Sequence, residues 1–272
     1  MVLQSCSHCP SCVDGYRQYC AEASGFGYSQ LDQGAFGDYR MIDADFAYAI
    51  PDSIPSEYAA PLMCAGASTY EALDAAHVKS SDRVGIVGIG GLGSIAIQFA
   101  NAMGSAVTAI SATAISGNGT NQKLAEALIF GADEFRTTHH PEDCYRLRKA
   151  DLAMFKTHEE SPQNINVLII CSNEVPDFAL LLPLLARRAR IVLMSIQQQP
   201  LVIPYMPLML PGHKIIASTE ASRRNHLDML EFAARNKIIP LIEKFPLTAE
   251  GLKDAFERLE SGKMRYRGVF SR

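Results

Sequence analysis

The clearest pattern of apolar and polar positions lies in the middle of the chain. Arg83–Val87 is an almost continuous apolar run, which is typical of a buried parallel strand. A glycine-rich segment follows, and an apolar run of helical period continues from Ser94 to Met103. Val107–Ile110 is a second short apolar run. The pattern therefore predicts a strand, a turn, a helix and a second strand in succession.

Strand and helix patterns alternate over much of the remaining chain, which predicts a doubly wound α/β sheet. The further predicted elements are helix Leu124–Phe130, strand Ala132–Phe135, strand Val167–Cys171, helix Phe178–Arg188, strand Arg190–Ile196, strand Lys214–Ser218 and helix Arg224–Asn236. Residues 137–166 are instead polar and charged. We expect a solvated loop there, and we interpret His139, His140 and His158 as loop residues rather than metal ligands.

Composition and charge exclude several classes of protein. The 272 residues carry a formal net charge of −4 and contain no block of Lys and Arg. They therefore lack the electrostatic footprint of a protein that binds nucleic acid or an anionic membrane. No apolar stretch reaches the ~20 residues of a membrane-spanning helix, and no signal peptide is visible. We expect a cytoplasmic protein that binds a small molecule, and we interpret its cysteines as ligands or thiols before disulfides.

Four of the seven cysteines fall in the first twenty residues. Cys6, Cys9, Cys12 and Cys20 have the spacing Cys-x2-Cys-x2-Cys-x7-Cys. Zinc prefers four tetrahedral thiolates, and short gaps let successive sulfurs turn toward one centre. This predicts one structural zinc per chain, because four protein ligands leave no open position for substrate. The alternative is a set of free or transiently oxidised thiols, and we expect His8 to be an exposed residue rather than a ligand.

The glycine-rich segment has the spacing Gly-x-Gly-x-x-Gly of a dinucleotide-binding turn, in the required context of strand, turn and helix. In such a turn the first glycine permits the tight bend, the second lets the backbone approach the pyrophosphate, and the third allows close packing of the helix. We expect the phosphates to bind at the N-terminus of the helix. The residues concerned are Gly88, Gly90, Gly91, Leu92 and Gly93. The alternative is a glycine turn that binds nothing.

The end of the second strand indicates which nicotinamide cofactor is used. An acidic residue there would bind the ribose 2′-hydroxyl of NAD and repel a 2′-phosphate. The chain instead has Ser111 and Thr113, and no acidic residue before Glu126. Their hydroxyls, together with the ammonium group of Lys123, would bind a phosphate. The sequence therefore predicts NADP(H) as the cofactor.

Together these motifs resemble those of the zinc-containing medium-chain alcohol dehydrogenase family, in particular its cinnamyl alcohol dehydrogenase group. The resemblance includes the four-cysteine segment of residues 6–20, called the zinc lobe below, and the glycine turn. It extends to residues 34–39, 50–52, 60–66 and 265–267. It implies a Rossmann cofactor domain at residues 64–239 and a GroES-like catalytic domain at residues 1–63 and 240–272. It also implies an NADP(H)-dependent oxidoreductase, and a homodimer that pairs the edge strand Lys214–Ser218.

One family feature is incomplete. Cys64 matches the last cysteine ligand of a catalytic zinc, and Ser68 falls where a threonine lies beside the nicotinamide. A catalytic zinc needs about three protein ligands and an open position, but the chain begins almost at the zinc lobe and contains no Gly-His-Glu segment. We expect a truncated catalytic domain without catalytic zinc, and Cys64 as a buried thiol at a vestigial metal position. Its alternative roles are a nucleophile or a ligand completed by another subunit.

Two functional classes follow. In the first, an NADP(H)-dependent oxidoreductase acts without catalytic zinc, and Ser68 and Tyr70 orient or protonate a conjugated carbonyl. In the second, redox chemistry is lost, and the scaffold serves as a lyase, a cyclase, an isomerase or a binding protein. A third hypothesis is that the sequence belongs to a longer, conventional dehydrogenase.

Overall fold

A computed structural model describes residues 2–27, 29, 31, 36–37, 39–112, 122–138, 144–148, 153–157 and 165–272. The chain divides into two compact units, one of residues 1–71 and 219–272 and the other of residues 72–218. Residues 64–71 and 219–239, which we expected in the cofactor domain, thus lie in the first unit.

The described residues form twelve strands and nine α-helices. The strands are β1 (Val2–Gln4), β2 (Ser24–Gly25), β3 (Arg83–Val87), β4 (Ala106–Ser111), β5 (Glu134–Thr137), β6 (Cys144–Arg148), β7 (Ala153–Thr157), β8 (Ile165–Ile170), β9 (Leu185–Leu193), β10 (Lys214–Ala217), β11 (Ile242–Pro246) and β12 (Arg267–Ser271). The helices are α1 (Pro10–Val13), α2 (Ser56–Pro61), α3 (Ala67–Ala75), α4 (Gly93–Ala102), α5 (Gln122–Phe130), α6 (Phe178–Leu181), α7 (Tyr205–Met209), α8 (Arg223–Asn236) and α9 (Ala249–Glu260). None of these helices is long and apolar enough to cross a lipid bilayer.

The unit of residues 72–218 is built on one sheet with the strand order β10-β9-β8-β3-β4-β5-β6-β7. The six strands from β10 to β5 are parallel, and β6 and β7 add an antiparallel hairpin. The apolar side chains of β3 are buried, and α4 buries Ile95, Ile97 and Phe99. The α/β fold of Rossmann type is therefore confirmed, with β3, α4 and β4 within two residues of their predicted positions.

The segment between β8 and β10 differs from its prediction. The predicted helix Phe178–Arg188 is wrong, because α6 ends at Leu181, a 3-10 turn follows, and β9 already begins at Leu185. Pro183 lacks the amide N–H that a continuing helix needs. Arg188 has a φ of 61°, and the register between β8 and β9 shifts beside it, as in a β-bulge. The predicted start of this strand at Arg190 is also wrong, because Leu185 already pairs with Ile165 of β8 before the bulge.

The polar segment at residues 137–166 also differs from its prediction. Part of it forms the hairpin of β6 and β7, which pairs with the edge of β5. The expectation of a loop is therefore wrong for these two strands. His139, His140 and His158 lie outside the described residues, and so does Thr113.

The unit of residues 1–71 and 219–272 contains two small sheets, β1 with β2 and β11 with β12. A buried carboxylate fixes the start of α8. Glu71 Oε2 accepts hydrogen bonds from the Ser222 amide at 2.9 Å and from Asn225 Nδ2 at 2.8 Å. Ser222 is the N-cap, and its hydroxyl accepts from the Asn225 amide at 3.1 Å. These bonds tie α8 to α3 and so position His226, one turn into α8.

Candidate functional site

The glycine turn joins the carboxyl end of β3 to the start of α4. The Gly88 amide donates to the Ile110 carbonyl at 2.9 Å, and the φ of Gly88 is +88°, which only glycine adopts without strain. A Cβ atom at Gly93 would lie 1.9 Å from the Gly88 carbonyl oxygen. The helix therefore packs against the turn too closely for any side chain at this position, as the third glycine of a dinucleotide-binding turn requires.

The N-terminus of α4 is open on the side of the turn. Its N-cap residue, Leu92, makes no side-chain capping hydrogen bond. The Ser94 and Ile95 amides donate to the Gly90 and Leu92 carbonyls at 2.9 and 3.1 Å, and the amides that precede them carry the partial positive charge of the helix N-terminus. Gly90 is exposed, and a Cβ atom there would meet no atom of the described residues within 4 Å. The surface formed by Gly90, Gly91 and Leu92 is thus backbone that an anionic group can approach closely.

Two of the residues predicted to bind the 2′-phosphate are described. Ser111 is the last residue of β4, which pairs in parallel with β3, so it lies at the same edge of the sheet as the glycine turn. Lys123 is the second residue of α5 and is half-buried. No acidic residue occupies the end of β4.

Two further serines lie at this edge, and no sequence motif had identified them as site residues. Ser172 follows β8 and Ser195 follows β9, and the Ser195 hydroxyl donates to the Ser172 carbonyl at 2.5 Å. Ser195 also lines a cavity of about 170 Å³, together with Ile170 and Leu193. The rule that open α/β sheets bind ligands beyond the carboxyl ends of their strands would have identified both serines.

The side chains of the four clustered cysteines lie close together. Their sulfur atoms all lie within 4.8 Å of one another. Cys6 Sγ is 3.6 Å from Cys20 Sγ and 3.9 Å from Cys12 Sγ. A tetrahedral zinc with Zn–S bonds of about 2.3 Å sets its sulfurs about 3.8 Å apart. The geometry of Cys6, Cys9, Cys12 and Cys20 therefore fits one zinc ion.

The local backbone favours metal binding by Cys6. The amide groups of His8 and Cys9 lower the pKa of the Cys6 thiol to about 6, and the Cys9 amide is 3.3 Å from Cys6 Sγ. The thiolate is the form that binds zinc. His8 is exposed, as expected, and its Nδ1 donates to the Cys6 carbonyl at 2.6 Å. Its imidazole thus supports the turn of the Cys6 backbone.

Cys64 lies in a single π-helical turn, Leu62–Gly66, between α2 and α3. Leu62, Ala65 and Gly66 occupy the buried positions of this turn, and Cys64 is exposed. The expectation that Cys64 is buried is therefore wrong. The wide turn presents this thiol to solvent, and π turns of this kind are frequent at functional sites.

The structure brings Cys64 and Ser68 together, but it directs Tyr70 elsewhere. Cys64 and Ser68 line a small cavity of about 20 Å³. Tyr70 lies two residues further along the helix, hence on another face. Its ring packs against Phe232, with ring centroids 5.7 Å apart.

His226 and Glu220 line the same small cavity and were missed in the sequence. His226 is buried, its ring stacks on Tyr48 at 4.6 Å, and its Nδ1 donates to the Ser222 carbonyl at 3.0 Å. Burial lowers the pKa of His226, so its imidazole is neutral at pH 7. Glu220 Oε2 accepts from the Val2 amide at 2.7 Å. No local pattern marks these residues, because they reach Cys64 from more than 150 positions away.

A catalytic zinc does not fit at Cys64 among the described residues. Among the described residues, the sets of three or more potential metal ligands are the four-cysteine cluster and a set of Cys6, His8 and Glu22. Both contain Cys6 and neither contains Cys64, so they describe one metal position in the lobe. A single thiolate falls short of the three protein ligands that catalytic zinc sites use.

Comparison with known proteins agrees with these features. The model of the family described as zinc-binding dehydrogenase matches residues 91–235. An alcohol dehydrogenase of Geobacillus stearothermophilus is 30% identical over 268 residues, which cover 98% of this chain and 73% of the relative. The NADP-dependent alcohol dehydrogenase C 1 of Mycolicibacterium smegmatis is 27% identical over 98% of this chain and 72% of its own length.

Among solved structures, a cinnamyl alcohol dehydrogenase of Sorghum bicolor matches with a TM-score of 0.81 and 27% identity. The match covers 99% of this chain and 72% of the sorghum chain. The resemblance drawn from the motifs is thereby confirmed. The chain belongs to the zinc-binding medium-chain alcohol dehydrogenase family and is an alcohol dehydrogenase-like oxidoreductase.

Proposed function

We propose that this chain is an NADP(H)-dependent oxidoreductase whose reaction uses no zinc ion at Cys64. The observation that carries the proposal is the open N-terminus of α4 beside the glycine turn. Backbone N–H groups at such a terminus bind a pyrophosphate. The Mycolicibacterium smegmatis relative is named as an NADP-dependent alcohol dehydrogenase, which supports NADP(H) rather than NAD(H) as the cofactor.

The residues expected around the adenosine ribose of the cofactor favour NADP(H) over NAD(H). Ser111 ends β4 with a hydroxyl rather than a carboxylate, and Lys123 adds a positive charge near the start of α5. A carboxylate at the end of this strand would repel the 2′-phosphate, whereas an ammonium group stabilises it. We propose that the hydroxyl of Thr113, which lies outside the described residues, also binds the 2′-phosphate.

The four-cysteine lobe is proposed to hold one structural zinc. Its thiolates would occupy all four positions of the ion, which would then bind no substrate. The cofactor, when bound, supplies the hydride. The chain's own contribution is to bind and orient the substrate, with the Ser68 hydroxyl beside Cys64 as the candidate proton donor. A conjugated carbonyl is the favoured substrate class, since it accepts a hydride more readily than an unpolarised ketone.

Replacing Lys123 by alanine tests the proposed cofactor. We expect the Kd for NADPH to rise about tenfold, because one charge-assisted hydrogen bond to the 2′-phosphate is lost. The Kd for NADH should stay within about twofold, since NADH lacks that phosphate. Fluorescence titration of the full chain measures both constants, and Lys253→Ala on α9 is the matched control. Failure to bind NADPH at millimolar concentration would overturn the proposal, and so would equal losses for both cofactors.

A homodimer is proposed through the free edge of β10. This strand ends the sheet, and on its outer side no other described strand pairs with it. Ile215 on the strand is 39% exposed, and Val202, Tyr205 and Leu210 nearby in sequence are 77%, 71% and 66% exposed. An unpaired strand edge beside exposed apolar side chains favours pairing with a second copy.

The alternation of the strand supplies a test of this dimer. The Ser218 amide donates to the Leu193 carbonyl of β9 at 3.1 Å, so the Ala217 amide faces the free edge. Ala217→Pro removes that donor and leaves the β9 pairing intact. Analytical ultracentrifugation should show a monomer for Ala217→Pro and a dimer for both the parent chain and Ala217→Val. A parent chain that stays monomeric at high concentration would refute the dimer.

A further inference from the structure

A second cavity of the unit of residues 72–218 has no part in the proposed reaction. It has a volume of about 390 Å³, which lies within the range of small-molecule sites. Its walls come from α6, from the segment around α7 and from the first residues of β9. The lining residues are Phe178, Ala179, Leu182, Pro183, Leu185, Arg187, Pro204, Pro207, Pro211 and His213.

The cavity lies away from the glycine turn. Leu185 and Arg187 are among the first residues of β9, and His213 directly precedes β10. The glycine turn follows the carboxyl end of β3, and β3, β8, β9 and β10 run parallel in one sheet. The polar groups of the cavity are therefore at the amino ends of the strands, and the dinucleotide site is at their carboxyl ends.

The apolar part of the lining suits a hydrocarbon body. Phe178, Leu182 and Leu185 belong to the buried core of this unit, so the cavity opens directly onto apolar packing. Four prolines complete the walls, and proline has no amide N–H. The prolines therefore contribute no backbone donors to the walls, and their rings favour an alkyl or aryl chain.

Arg187 gives one end of the cavity a positive charge, and His213 adds a ring nitrogen that can form a hydrogen bond. His213 Nδ1 is buried and has no hydrogen-bond partner among the described residues. Buried polar atoms in folded proteins are almost always paired, so an unpaired one points to a bound ligand or water. Arg187 is exposed, and it forms no ion pair with any residue that the structure describes. A carboxylate has two oxygens and can accept hydrogen bonds from both side chains at once.

We propose that this cavity binds a small amphipathic carboxylate, with its alkyl or aryl body among Phe178, Leu182 and Leu185 and its carboxylate on Arg187 and His213. The charge of Arg187 selects an anion over a neutral alcohol of the same length. The ligand binds whether or not the dinucleotide site is filled. The proposal is thus independent of the oxidoreductase activity.

Octanoate and 1-octanol are the probes, titrated into the full chain by isothermal titration calorimetry. We expect octanoate to bind at least tenfold more tightly than 1-octanol, because only octanoate pairs with the guanidinium. Arg187→Gln should remove this preference. Arg188→Gln, which deletes the same charge from the neighbouring residue outside the lining, should retain it. Saturating NADPH should leave the Kd for octanoate unchanged.

A second variant tests His213 independently of the total charge. His213→Phe keeps a ring in the wall but removes the buried nitrogen, and it should weaken octanoate binding by about tenfold. Equal effects of Arg187→Gln and Arg188→Gln would overturn the proposal, since they would indicate a general charge effect. Binding of 1-octanol as tight as that of octanoate, or displacement of octanoate by NADPH, would overturn it as well.

Discussion

Replacement of Cys12 by serine is expected to reduce the zinc content of the purified chain from one ion to a small fraction of one. Cys12 Sγ lies 3.9 Å from Cys6 Sγ, close to the sulfur spacing of a tetrahedral zinc. A serine hydroxyl is a much weaker ligand than a thiolate. Loss of an outer-shell partner alone costs about 10–100-fold in metal affinity, so loss of a direct ligand should cost more. Elemental analysis of the dialysed protein measures the change.

The same substitution should unfold the lobe locally. Within residues 6–20 the helix α1 buries no residue, and Val13, Tyr16 and Tyr19 are 72%, 46% and 47% exposed. The lobe therefore lacks an apolar core of its own, and metal binding contributes its folding free energy. Hydrogen exchange should show loss of protection at residues 6–20 in Cys12→Ser, while the amides of β3 and β8 keep theirs.

Cys64→Ser is the matched control for this prediction. Cys64 belongs to no set of three potential ligands among the described residues, so its replacement should leave the zinc content at one ion per chain. Two zinc ions in the parent chain, one of them lost in Cys64→Ser, would contradict the proposed role of Cys64. Retention of zinc by Cys12→Ser would contradict the four-thiolate site.

The parts of the fold that were predicted well are those whose signals are local. The strand, turn and helix around the glycine segment depend on an apolar run and on glycines at fixed spacing, and the structure places β3, α4 and β4 within two residues of their predictions. Likewise, the spacing of four cysteines within fifteen residues is enough to bring their sulfur atoms together.

The parts that failed depend on distant contacts. Leu182 and Leu185 fit a helical pattern, but Pro183 follows the end of the helix at Leu181, and pairing with β8 makes the residues from Leu185 onward a strand. The exposure of Cys64 depends on the π turn, which sequence periodicity does not reveal. His226 and Glu220 reach Cys64 only because Glu71 fixes the start of α8. The candidate site is therefore more complete in the structure than in the sequence.

Gly90→Ala is expected to weaken NADPH binding by at least tenfold while leaving the stability of the chain nearly unchanged. In the structure a Cβ atom at Gly90 would meet no atom of the described residues within 4 Å, so the free energy of unfolding should change by less than about 0.5 kcal/mol. A bound pyrophosphate has to approach the backbone at this position, and the added methyl group would occupy part of its space. Fluorescence titration and thermal unfolding measure the two quantities separately.

Gly93→Ala gives the contrasting result, because its Cβ atom would lie 1.9 Å from the Gly88 carbonyl oxygen. That clash exists without any cofactor, so α4 or the turn has to move, at a cost of roughly 1–3 kcal/mol or more. Gly93→Ala should therefore lower the stability of the cofactor-free chain, whereas Gly90→Ala should lower only the affinity. If Gly90→Ala binds NADPH as tightly as the parent chain, the dinucleotide does not lie on this turn. The pair of variants thus separates a glycine required for packing from one required for the ligand.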